Sequence, residues 1–237
     1  MSLYHATDIR SAEAESAEGI GPASIDSLPA MPRPGRVLMV SPEHFDVQYV
    51  INPHMAGQVG QVDRRLAAAQ WEALSQAYQA LGLPVSVLPG GVGLPDMVFC
   101  ANQSLPGLGL DGTRQVWMSR MHAEQRRPEV ALLERWFRDE GYRVDHFEDA
   151  AVVDFEGMGD AIWHPGRRLL WGGYGFRSSL AAYRELSTRW KVPVVLLELR
   201  DPDFYHLDTC FCVLDDKTVL CWGGNANGRL GNGTLVN

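Results

Sequence analysis

The chain has 237 residues, of which 46% are hydrophobic, and a formal net charge of -8. This length and apolar content are enough to bury a sizeable core, and they predict a single globular domain over residues 34–221. The acidic balance and the lack of any Lys/Arg cluster argue against a nucleic-acid or anionic membrane surface, which leaves small-molecule chemistry as the expected class.

The N-terminal segment, residues 1–33, is rich in Ala, Ser, Glu and Pro and has no apolar periodicity. We expect it to be a disordered lead-in, because it has too little apolar surface to offset the entropy of ordering. It lacks the basic-then-apolar pattern of a secretory signal, and no run in the chain approaches the roughly 18 apolar residues of a transmembrane helix. The sequence therefore predicts a cytoplasmic protein that does not bind membranes.

After residue 36, strands and helices alternate. A short apolar strand is predicted over 37–40, then a helix with Asp63 as its N-cap and Gly82 as its stop, and a further strand over 85–88. From Asp96 on, the chain repeats a unit of strand, strand, helix and strand. The first copy is predicted at 96–100, 115–118, 128–140 and 142–147. The second is predicted at 160–163, 168–171, 179–190 and 194–199.

A third copy begins near Asp208, with strands predicted over 210–214 and 218–221, and then breaks off. The tail, residues 222–237, has five glycines and four asparagines in its last fifteen positions. Both residue types disfavour helices, so we expect an irregular tail. The predicted fold class is α/β, a repeating architecture of ββαβ units whose C-terminal repeat is incomplete. Such a fold exposes an apolar edge that favours association, and no pattern predicts a particular oligomeric state.

A histidine and an aspartate stand two residues apart in the segment 204–213, which is rich in aromatic residues. If this segment is a strand, His206 and Asp208 lie on one face and share a pocket wall; the alternative is an edge strand with two solvated polar residues. Upstream, Glu156 and Asp160 flank a Gly-Met-Gly sequence that would let the backbone approach a ligand. Their alternative interpretation is a hairpin turn with solvated acids.

Three motifs occur in order, each at the mouth of a repeat: Leu-Pro-Asp-Met-Val-Phe at 94–99, Phe-Glu-Gly-Met-Gly-Asp at 155–160 and His-Leu-Asp-Thr at 206–209. Together they resemble the guanidino-group-modifying (pentein) superfamily, which includes arginine deiminases, dimethylarginine dimethylaminohydrolases and arginine amidinotransferases. The resemblance runs from about residue 36 to residue 220. It implies a five-bladed αβ propeller of ββαβ units around a central pocket, and a small guanidino molecule as substrate.

The resemblance also implies a mechanism. A cysteine thiolate attacks the guanidinium carbon, an amine leaves, and the amidino carbon passes to water in a hydrolase or to an amine in a transferase. By resemblance, Glu156 and Asp96 hold the substrate nitrogens, since a planar cation suits carboxylates that accept paired N–H bonds. His206 is the implied general acid and base. Further substrate-binding candidates are Asp160, Asp208 and, for a substrate carboxylate, Arg177.

Two departures from the family pattern bear on the activity. Asn102 stands where the deiminases and dimethylaminohydrolases carry an aspartate, which leaves the substrate open and gives weight to an amidinotransferase-like or an uncharacterised subgroup. The second departure is the nucleophile, which in the family lies near the C-terminus, well beyond the His-x-Asp motif. The resemblance places it in the repeat that this chain lacks, so we expect the chain to be inactive or impaired as an enzyme.

The four cysteines are poor substitutes for that nucleophile. Their spacing fits neither a zinc site nor a Cys-x-x-Cys redox motif, and neither a metal nor another cofactor is expected. Cys100, Cys210 and Cys212 are predicted in core strands, and nothing near Cys221 would lower its thiol pKa. Three hypotheses stay open: a guanidine hydrolase or amidinotransferase by descent, a non-catalytic binder of arginine-like ligands, and a propeller scaffold resembling translation initiation factor six.

Overall fold

The computed structural model describes residues 3–5, 27–216 and 218–223. Most of the predicted lead-in and residues 224–237 of the predicted tail lie outside the described residues, as does Lys217. Contacts within the chain group it into two units. Unit I is Arg33–Phe147, and unit II is Met1–Pro32 together with Glu148–Asn237. A single domain over 34–221 stays a prediction.

Two short strands lie inside the segment 1–33. They are β1 (Leu3–His5) and β2 (Ala30–Met31), and both pair with strands from the second half of the chain. Strands of two or three residues are too short for hydrophobic periodicity to reveal, which is why the sequence predicts no regular structure here.

Unit I begins with a parallel β-α-β arrangement. Strand β3 (Val37–Val40) pairs in parallel with β4 (Val85–Leu88). Helix α1 (Arg64–Ala80) lies between them in sequence. The carboxylate of Asp63 accepts hydrogen bonds from two backbone N–H groups of the first turn of α1, as expected of an N-cap. All three elements therefore lie where the sequence predicts them.

The second half of unit I is one strand-strand-helix-strand unit. Strands β5 (Ser104–Leu108) and β6 (Arg114–Met118) form an antiparallel hairpin, and β7 (Arg143–Asp145) pairs with β6 in parallel. Helix α2 (Arg127–Asp139) makes the crossover between β6 and β7. The order matches the predicted repeat, but its first strand is β5 rather than residues 96–100.

The core of unit I is an apolar cluster that joins α2 to the strands. Its buried members are Val40, Met97, Val116, Met118, Leu133 and Phe137. Burying an aliphatic or aromatic side chain of this size stabilises a fold by roughly 1.5–3 kcal/mol. Because Met97 belongs to this cluster, the residues on either side of it are fixed on the core as well.

Residues 96–100, predicted as a strand, form a 3-10 turn over Pro95–Val98. Pro95 stands at the start of this turn, where its fixed φ and missing N–H are tolerated. The sequence prediction is wrong here because a short apolar run cannot distinguish a strand from another buried segment by periodicity alone. The turn buries Asp96, whose exposed fraction is 2%.

Unit II contains a four-stranded sheet in the order β1-β11-β10-β8. Its elements in chain order are α3 (Gly157–Asp160), β8 (Ala161–Trp163), β9 (Gly166–Arg167), β10 (Leu170–Tyr174), α4 (Leu180–Trp190) and β11 (Val194–Glu198). β8 is antiparallel to β10, and β11 is parallel to both β10 and β1. The second strand-strand-helix-strand unit is therefore present, with α4 as its crossover helix.

Two glycines in β10 let other parts of unit II approach the strand closely. A Cβ atom on Gly172 would lie 2.7 Å from the ring of Tyr183, and one on Gly173 would lie 2.8 Å from Cβ of Leu207. The hydroxyl oxygen of Tyr183 lies 2.6 Å from the carbonyl oxygen of Gly173 and 3.1 Å from that of Asp160. Strand β10 thus supports α4 and also the segment that follows β11.

The segment 204–213, considered as a strand on its aromatic content, is mostly turn, and only its end lies in the strand predicted over 210–214. It holds the end of a 3-10 turn over Pro202–Phe204, a second 3-10 turn over Leu207–Thr209, and then β12 (Phe211–Val213). His206 is buried and Asp208 is exposed, so the two side chains do not lie on one strand face. Aromatic content favoured a strand, but the N–H of Leu207 bonds to a side chain rather than to a neighbouring strand.

Strand β12 pairs antiparallel with β13 (Val219–Cys221), and in the described part of the chain these two strands form a sheet of their own. Several apolar side chains on and beside this hairpin are exposed: Leu214, Val219, Leu220 and Trp222. Among the helices that the structure describes, none combines the length and the apolar character of a membrane span.

Candidate active site

Unit II holds a histidine between two carboxylates. Nε2 of His206 lies 3.0 Å from Oε2 of Glu156, and Nδ1 lies 3.2 Å from Oδ1 of Asp160. The exposed fraction is 5% for His206 and 0% for each acid. The structure therefore brings together three of the residues that the sequence nominates, and we call these three the carboxylate-histidine triad.

The turn before β8 places both acids of the triad. Glu156 precedes α3 and Asp160 ends it, so one helical turn separates the two carboxylates. Gly157 has a φ of 48°, in the left-handed region that favours glycine. The N–H of Gly159 donates to the carbonyl of Glu156 and closes the turn. The glycines between the acids therefore serve the tight turn that points both carboxylates at one histidine.

Asp160 also fixes the backbone next to His206. Its Oδ1 accepts a hydrogen bond of 3.1 Å from the N–H of Leu207. That N–H belongs to the first residue of the 3-10 turn after His206, so one carboxylate oxygen holds both the imidazole and the turn that carries it.

The two carboxylates decide the charge of the imidazole. Burial alone would lower the pKa of His206, but the hydrogen bonds and the negative charges of Asp160 and Glu156 outweigh burial and raise this pKa to about 9. His206 is therefore an imidazolium at neutral pH. In this state it can donate a proton to a leaving amine, and once neutral it can accept one from water.

Arg177 extends the triad beyond Glu156. Its Nη1 lies 3.4 Å from Oε1 of Glu156, and its guanidinium carbon lies 5.0 Å from the centroid of the Tyr205 ring. The sequence nominates Arg177 for a substrate carboxylate. In the structure Glu156 is instead shared between two cationic side chains, Arg177 on one oxygen and His206 on the other.

Asp208 lies at the edge of this group. Desolvation of its carboxyl by the surrounding protein raises the pKa of Asp208 to about 6, with His206 acting in the opposite direction and Asp160 adding to the rise. The residue is exposed, so water screens much of this effect. Asp208 therefore differs from the buried triad in environment, although it was nominated with His206.

Ser178 was missed at the level of sequence. Its hydroxyl donates to Oδ2 of Asp160 at 2.6 Å and accepts from the N–H of Glu156 at 3.0 Å. It is 5% exposed. A serine just before a helix is usually assigned to capping, so no sequence signal linked Ser178 to two acids that lie about twenty positions upstream.

The remaining two candidates, Asp96 and Asn102, lie in unit I. Asp96 is buried in the Pro95–Val98 turn, and burial together with this nearby carboxylate raises the pKa of Tyr49. Tyr49 was also missed, because it lies in a long loop without a recognisable motif.

Arg126 organises the turn that carries these two candidates. Its guanidinium donates to Oδ1 of Asn102 at 3.0 Å and to the backbone carbonyls of Asp96 and Phe99. It also pairs with Glu129 at 3.0 Å, and both side chains are at most 5% exposed. Burial raises the pKa of Glu129, against the opposing effect of Arg126. Asn102 therefore presents its carbonyl oxygen to Arg126 and keeps its NH₂ group as a donor.

The cysteines do not have the character of an activated nucleophile. Cys100 and Cys212 were both predicted to lie in core strands. Cys100 lies in a turn instead of a strand, and Cys212 lies on a strand but is exposed, so the prediction is wrong for both. Burial raises the pKa of Cys100 and of Cys221, and it raises that of Cys210 to about 11. A raised pKa disfavours the thiolate. The described residues contain no cluster of three His, Cys, Asp or Glu suited to a metal ion.

Comparison with known proteins finds no matching family model. Among curated proteins, the chain is 40% identical over 185 residues to the bifunctional arginine dihydrolase/ornithine cyclodeaminase ArgZ of Synechocystis sp., a match that covers 78% of this chain and 25% of ArgZ. It is 39% identical over 188 residues to the N(G),N(G)-dimethylarginine dimethylaminohydrolase of Mycobacterium tuberculosis, covering 79% of this chain and 58% of that protein.

Solved structures of AgrE and ArgZ are also similar to this chain. A cysteine-to-alanine variant of AgrE in complex with L-arginine matches with a TM-score of 0.72 and 38% identity, over 81% of this chain and 27% of that one. The N-terminal domain of an ArgZ variant covalently bound to a reaction intermediate matches with a TM-score of 0.71 and 37% identity, over 78% of this chain and 65% of that one.

The chain spans between 25% and 62% of the length of the curated relatives it matches. The matches nevertheless cover at least 78% of this chain at 39% identity or better, and the solved neighbours share its α/β architecture. The resemblance carried by the motifs at 94–99, 155–160 and 206–209 is thus confirmed by identity along most of the chain. The chain belongs to the guanidino-group-modifying (pentein) superfamily.

Proposed function

We propose that this chain binds the guanidino group of arginine or of a substituted arginine, and that it descends from a hydrolase that cleaves a C–N bond of that group. The observation that carries the proposal is the carboxylate-histidine triad, Glu156, His206 and Asp160, which is buried and fully ion-paired. The names of the relatives support this ligand class, because an arginine dihydrolase and a dimethylarginine dimethylaminohydrolase share the arginine moiety.

A guanidinium ligand suits the triad for a physical reason. A carboxylate has about four lone-pair positions, so Glu156 can accept N–H bonds from a ligand in addition to its contacts with His206 and Arg177. Buried carboxylates bind a planar, permanently charged fork more strongly than exposed ones, because less water competes for the charge. We propose that Asp96, which is buried in the Pro95–Val98 turn, also accepts N–H bonds from a guanidinium group.

His206 would supply both proton transfers of the hydrolysis. A thiolate forms a C–S bond to the guanidinium carbon, and the C–N bond to the departing nitrogen breaks as the His206 imidazolium donates its proton to that nitrogen. Neutral His206 then takes a proton from water as the oxygen adds to the same carbon. The C–S bond breaks, the thiolate returns, and a urea group remains after loss of one proton to solvent.

Binding without turnover is the form of this proposal that the environments of the cysteines favour. Burial raises the pKa of Cys100, Cys210 and Cys221, which disfavours three of the four thiolates, and the fourth cysteine, Cys212, lies outside the three motifs. We therefore expect the chain to bind L-arginine and to release neither citrulline nor ammonia above the uncatalysed rate. Product release by the purified chain would assign the thiolate to one of these four cysteines.

The two strand-strand-helix-strand units support a finer proposal about the fold. One lies in unit I, with β5, β6, α2 and β7, and the other in unit II, with β8, β10, α4 and β11. We propose that these are two repeats of an αβ propeller, as the sequence repeat predicts.

The test of ligand binding is a titration of the purified chain with L-arginine by isothermal calorimetry. Glu156→Gln should weaken binding at least about tenfold, because the amide loses the charge and one acceptor while keeping the shape. Glu72→Gln, an exposed change on α1, is the matched control and should bind as the wild type does. The proposal is overturned if the wild type shows no arginine binding, or if both variants bind equally well.

A further inference from the structure

We propose that Ser178 is a positioning residue, whose hydroxyl locks the carboxylate of Asp160 against Nδ1 of His206 and ties it to the backbone of Glu156. The consequence for catalysis or binding rests on the proposed function, whereas the consequence for the charge of His206 does not. Nothing in the motifs nominates this serine, because it lies outside all three.

Ser178 contacts both acids of the triad at once. Its hydroxyl has one hydrogen to donate, which goes to Oδ2 of Asp160 at 2.6 Å, and it accepts the N–H of Glu156 at 3.0 Å. Both partners are fully buried. The hydroxyl therefore links the main chain at one acid to the side chain of the other, across the α3 turn that separates them.

The oxygens of Asp160 have distinct partners. Oδ1 lies 3.2 Å from Nδ1 of His206 and accepts the N–H of Leu207, while Oδ2 accepts the hydroxyl of Ser178. With these partners in place, the carboxylate has one orientation in which both oxygens are satisfied. Removing the hydroxyl leaves Oδ2 as a buried acceptor without that donor, and a buried acceptor in this state reorients or takes up a proton.

Several charged and polar groups surround the imidazole. Glu156 and Asp160 come from the α3 turn, Arg177 contacts Glu156, Asp208 lies on the turn after His206, and the ring of Tyr205 lies 4.9 Å from the imidazole centroid. Of these, Glu156 and Asp160 form the ion pairs with the ring. Ser178 contacts both of these carboxylate residues, so its loss affects the imidazole more than the loss of a single contact would.

Loss of the hydroxyl should make His206 less basic. If Asp160 turns away from Nδ1 or becomes protonated, the imidazolium loses negative charge on one side. Its pKa then falls from about 9 toward the ordinary value of 6.5. We expect Ser178→Ala to lower it by about one unit. His206 would then lose its proton at lower pH than in the wild type.

The experiment is an NMR titration of the histidine side chains in protein labelled with ¹⁵N-histidine. The His206 signals are assigned by their absence in His206→Gln. Ser187→Ala is the matched control, because Ser187 is also a buried serine, lies on α4, and its hydroxyl has no hydrogen-bond partner among the described residues. Ser178→Thr keeps a hydroxyl and should titrate as the wild type does, as should Ser187→Ala.

The inference is overturned if His206 titrates in Ser178→Ala as it does in Ser187→Ala, whatever the melting temperatures of the two variants. It is also overturned if Ser178→Thr behaves like Ser178→Ala, because size would then matter rather than the hydroxyl. Should Ser178→Ala fail to fold, Ser178→Cys carries the same prediction in weaker form, since a thiol is a weak donor.

Failure of the Ser178 inference can be distinguished from failure of the proposed function. Calorimetry with L-arginine on the same samples reports ligand binding, and the NMR titration reports the charge of His206 in the absence of ligand. A wild type that binds no arginine while the Ser178→Ala shift is present rejects the function alone. A wild type that binds arginine while His206 is unaffected by Ser178→Ala rejects the inference alone.

Discussion

The charge of His206 links the candidate site to the stability of unit II. Its imidazole is 5% exposed and lies between two carboxylates, so the folded state binds the histidine proton more tightly than the unfolded chain does. A group whose pKa is raised on folding stabilises the fold while it is protonated in both states, and this contribution disappears as it deprotonates.

The pH dependence of unfolding should therefore show the His206 contribution in one window. It is fully present below the unfolded pKa of 6.5 and is lost as the pH rises through about 9. The upper bound is roughly 3 kcal/mol, at about 1.4 kcal/mol per unit of pKa difference. Urea unfolding followed by tryptophan fluorescence across this window measures it.

The control for this prediction is a pair of variants. In His206→Gln the free energy of unfolding should lose this decline between pH 6.5 and 9, while His54→Gln, at an exposed histidine, should keep it. Thiol ionisation at high pH is common to all three proteins and cancels in the comparison. A wild type and a His206→Gln variant with parallel pH profiles would contradict a raised pKa for His206.

Single residues could be nominated from the sequence where they sit in one of the three ordered motifs. Glu156, Asp160 and His206 were nominated because their motifs, taken in order along the chain, resemble those of the pentein superfamily, and the structure brings the three side chains together. Ser178 and Arg126 were not, because each acts through hydrogen bonds to residues 18 to 30 positions away. Contacts at such separations are made by the fold and leave no local pattern.

At the scale of elements, strand β10 sets the position of the turn that carries His206. A Cβ atom on Gly173 would lie 2.8 Å from Cβ of Leu207, 3.3 Å from Cδ1 of Leu199 and 3.4 Å from Oδ1 of Asp160. The strand and the Leu207–Thr209 turn are therefore packed so closely that an added methyl group has no space. The site depends on this glycine although Gly173 contributes no side chain to it.

Gly173→Ala should displace the turn and destabilise the protein by about 1–3 kcal/mol, the usual cost of overpacking. It should also weaken L-arginine binding, because the displaced turn carries His206. Urea unfolding and calorimetry measure the two effects. Gly35→Ala is the control, since a Cβ there has nothing within 4 Å, and it should stay within about 0.5 kcal/mol of the wild type. Equal behaviour of the two variants would show that the turn can move aside without loss.

Helices were predicted better than the segments that carry the site. Helix α2 begins and ends within one residue of the predicted bounds, because its apolar residues recur with the helical period over thirteen positions. The run at 96–100 was predicted as a strand and lies mostly in a 3-10 turn, and the run at 204–213, considered as a strand, holds parts of two 3-10 turns before β12 begins. Short runs of apolar and aromatic residues do not reveal whether a backbone N–H will bond to a strand or to a side chain.

At the scale of the whole molecule, the β12–β13 hairpin is an exposed apolar surface. In the described residues β13 pairs with β12 alone, and its Val219 and Leu220 are 41% and 51% exposed. An edge strand with apolar side chains is a template for pairing with another chain. This hairpin is therefore the first place where we expect self-association at high protein concentration.

Leu220→Lys should reduce that self-association, because a charged side chain on an edge strand opposes pairing. Sedimentation velocity over a series of concentrations measures the effect, and the free energy of unfolding should change by less than about 0.5 kcal/mol. Val92→Lys is the control, at a residue of unit I that is 88% exposed. If the two lysine variants associate to the same extent as each other, net charge rather than the hairpin controls association.

The superfamily and the α/β class were predictable for the whole chain, because repeats and ordered motifs extend over most of its length. The two-unit division was not, since local patterns do not say which strands group together. The strand Leu3–His5 shows the limit, because it pairs with β11 almost two hundred positions later. Pairings at that distance depend on the assembled sheet.

The hydroxyl of Tyr183 reaches two carbonyl groups, one in the sheet at Gly173 and one in the candidate site at Asp160. The same hydroxyl therefore links the sheet of unit II to the backbone of the candidate site. A partly melted sheet would release the backbone of the acid that orients His206. Heating should then abolish the spectroscopic signature of the sheet and the capacity to bind ligand over one and the same temperature interval, with no folded but incompetent species between them.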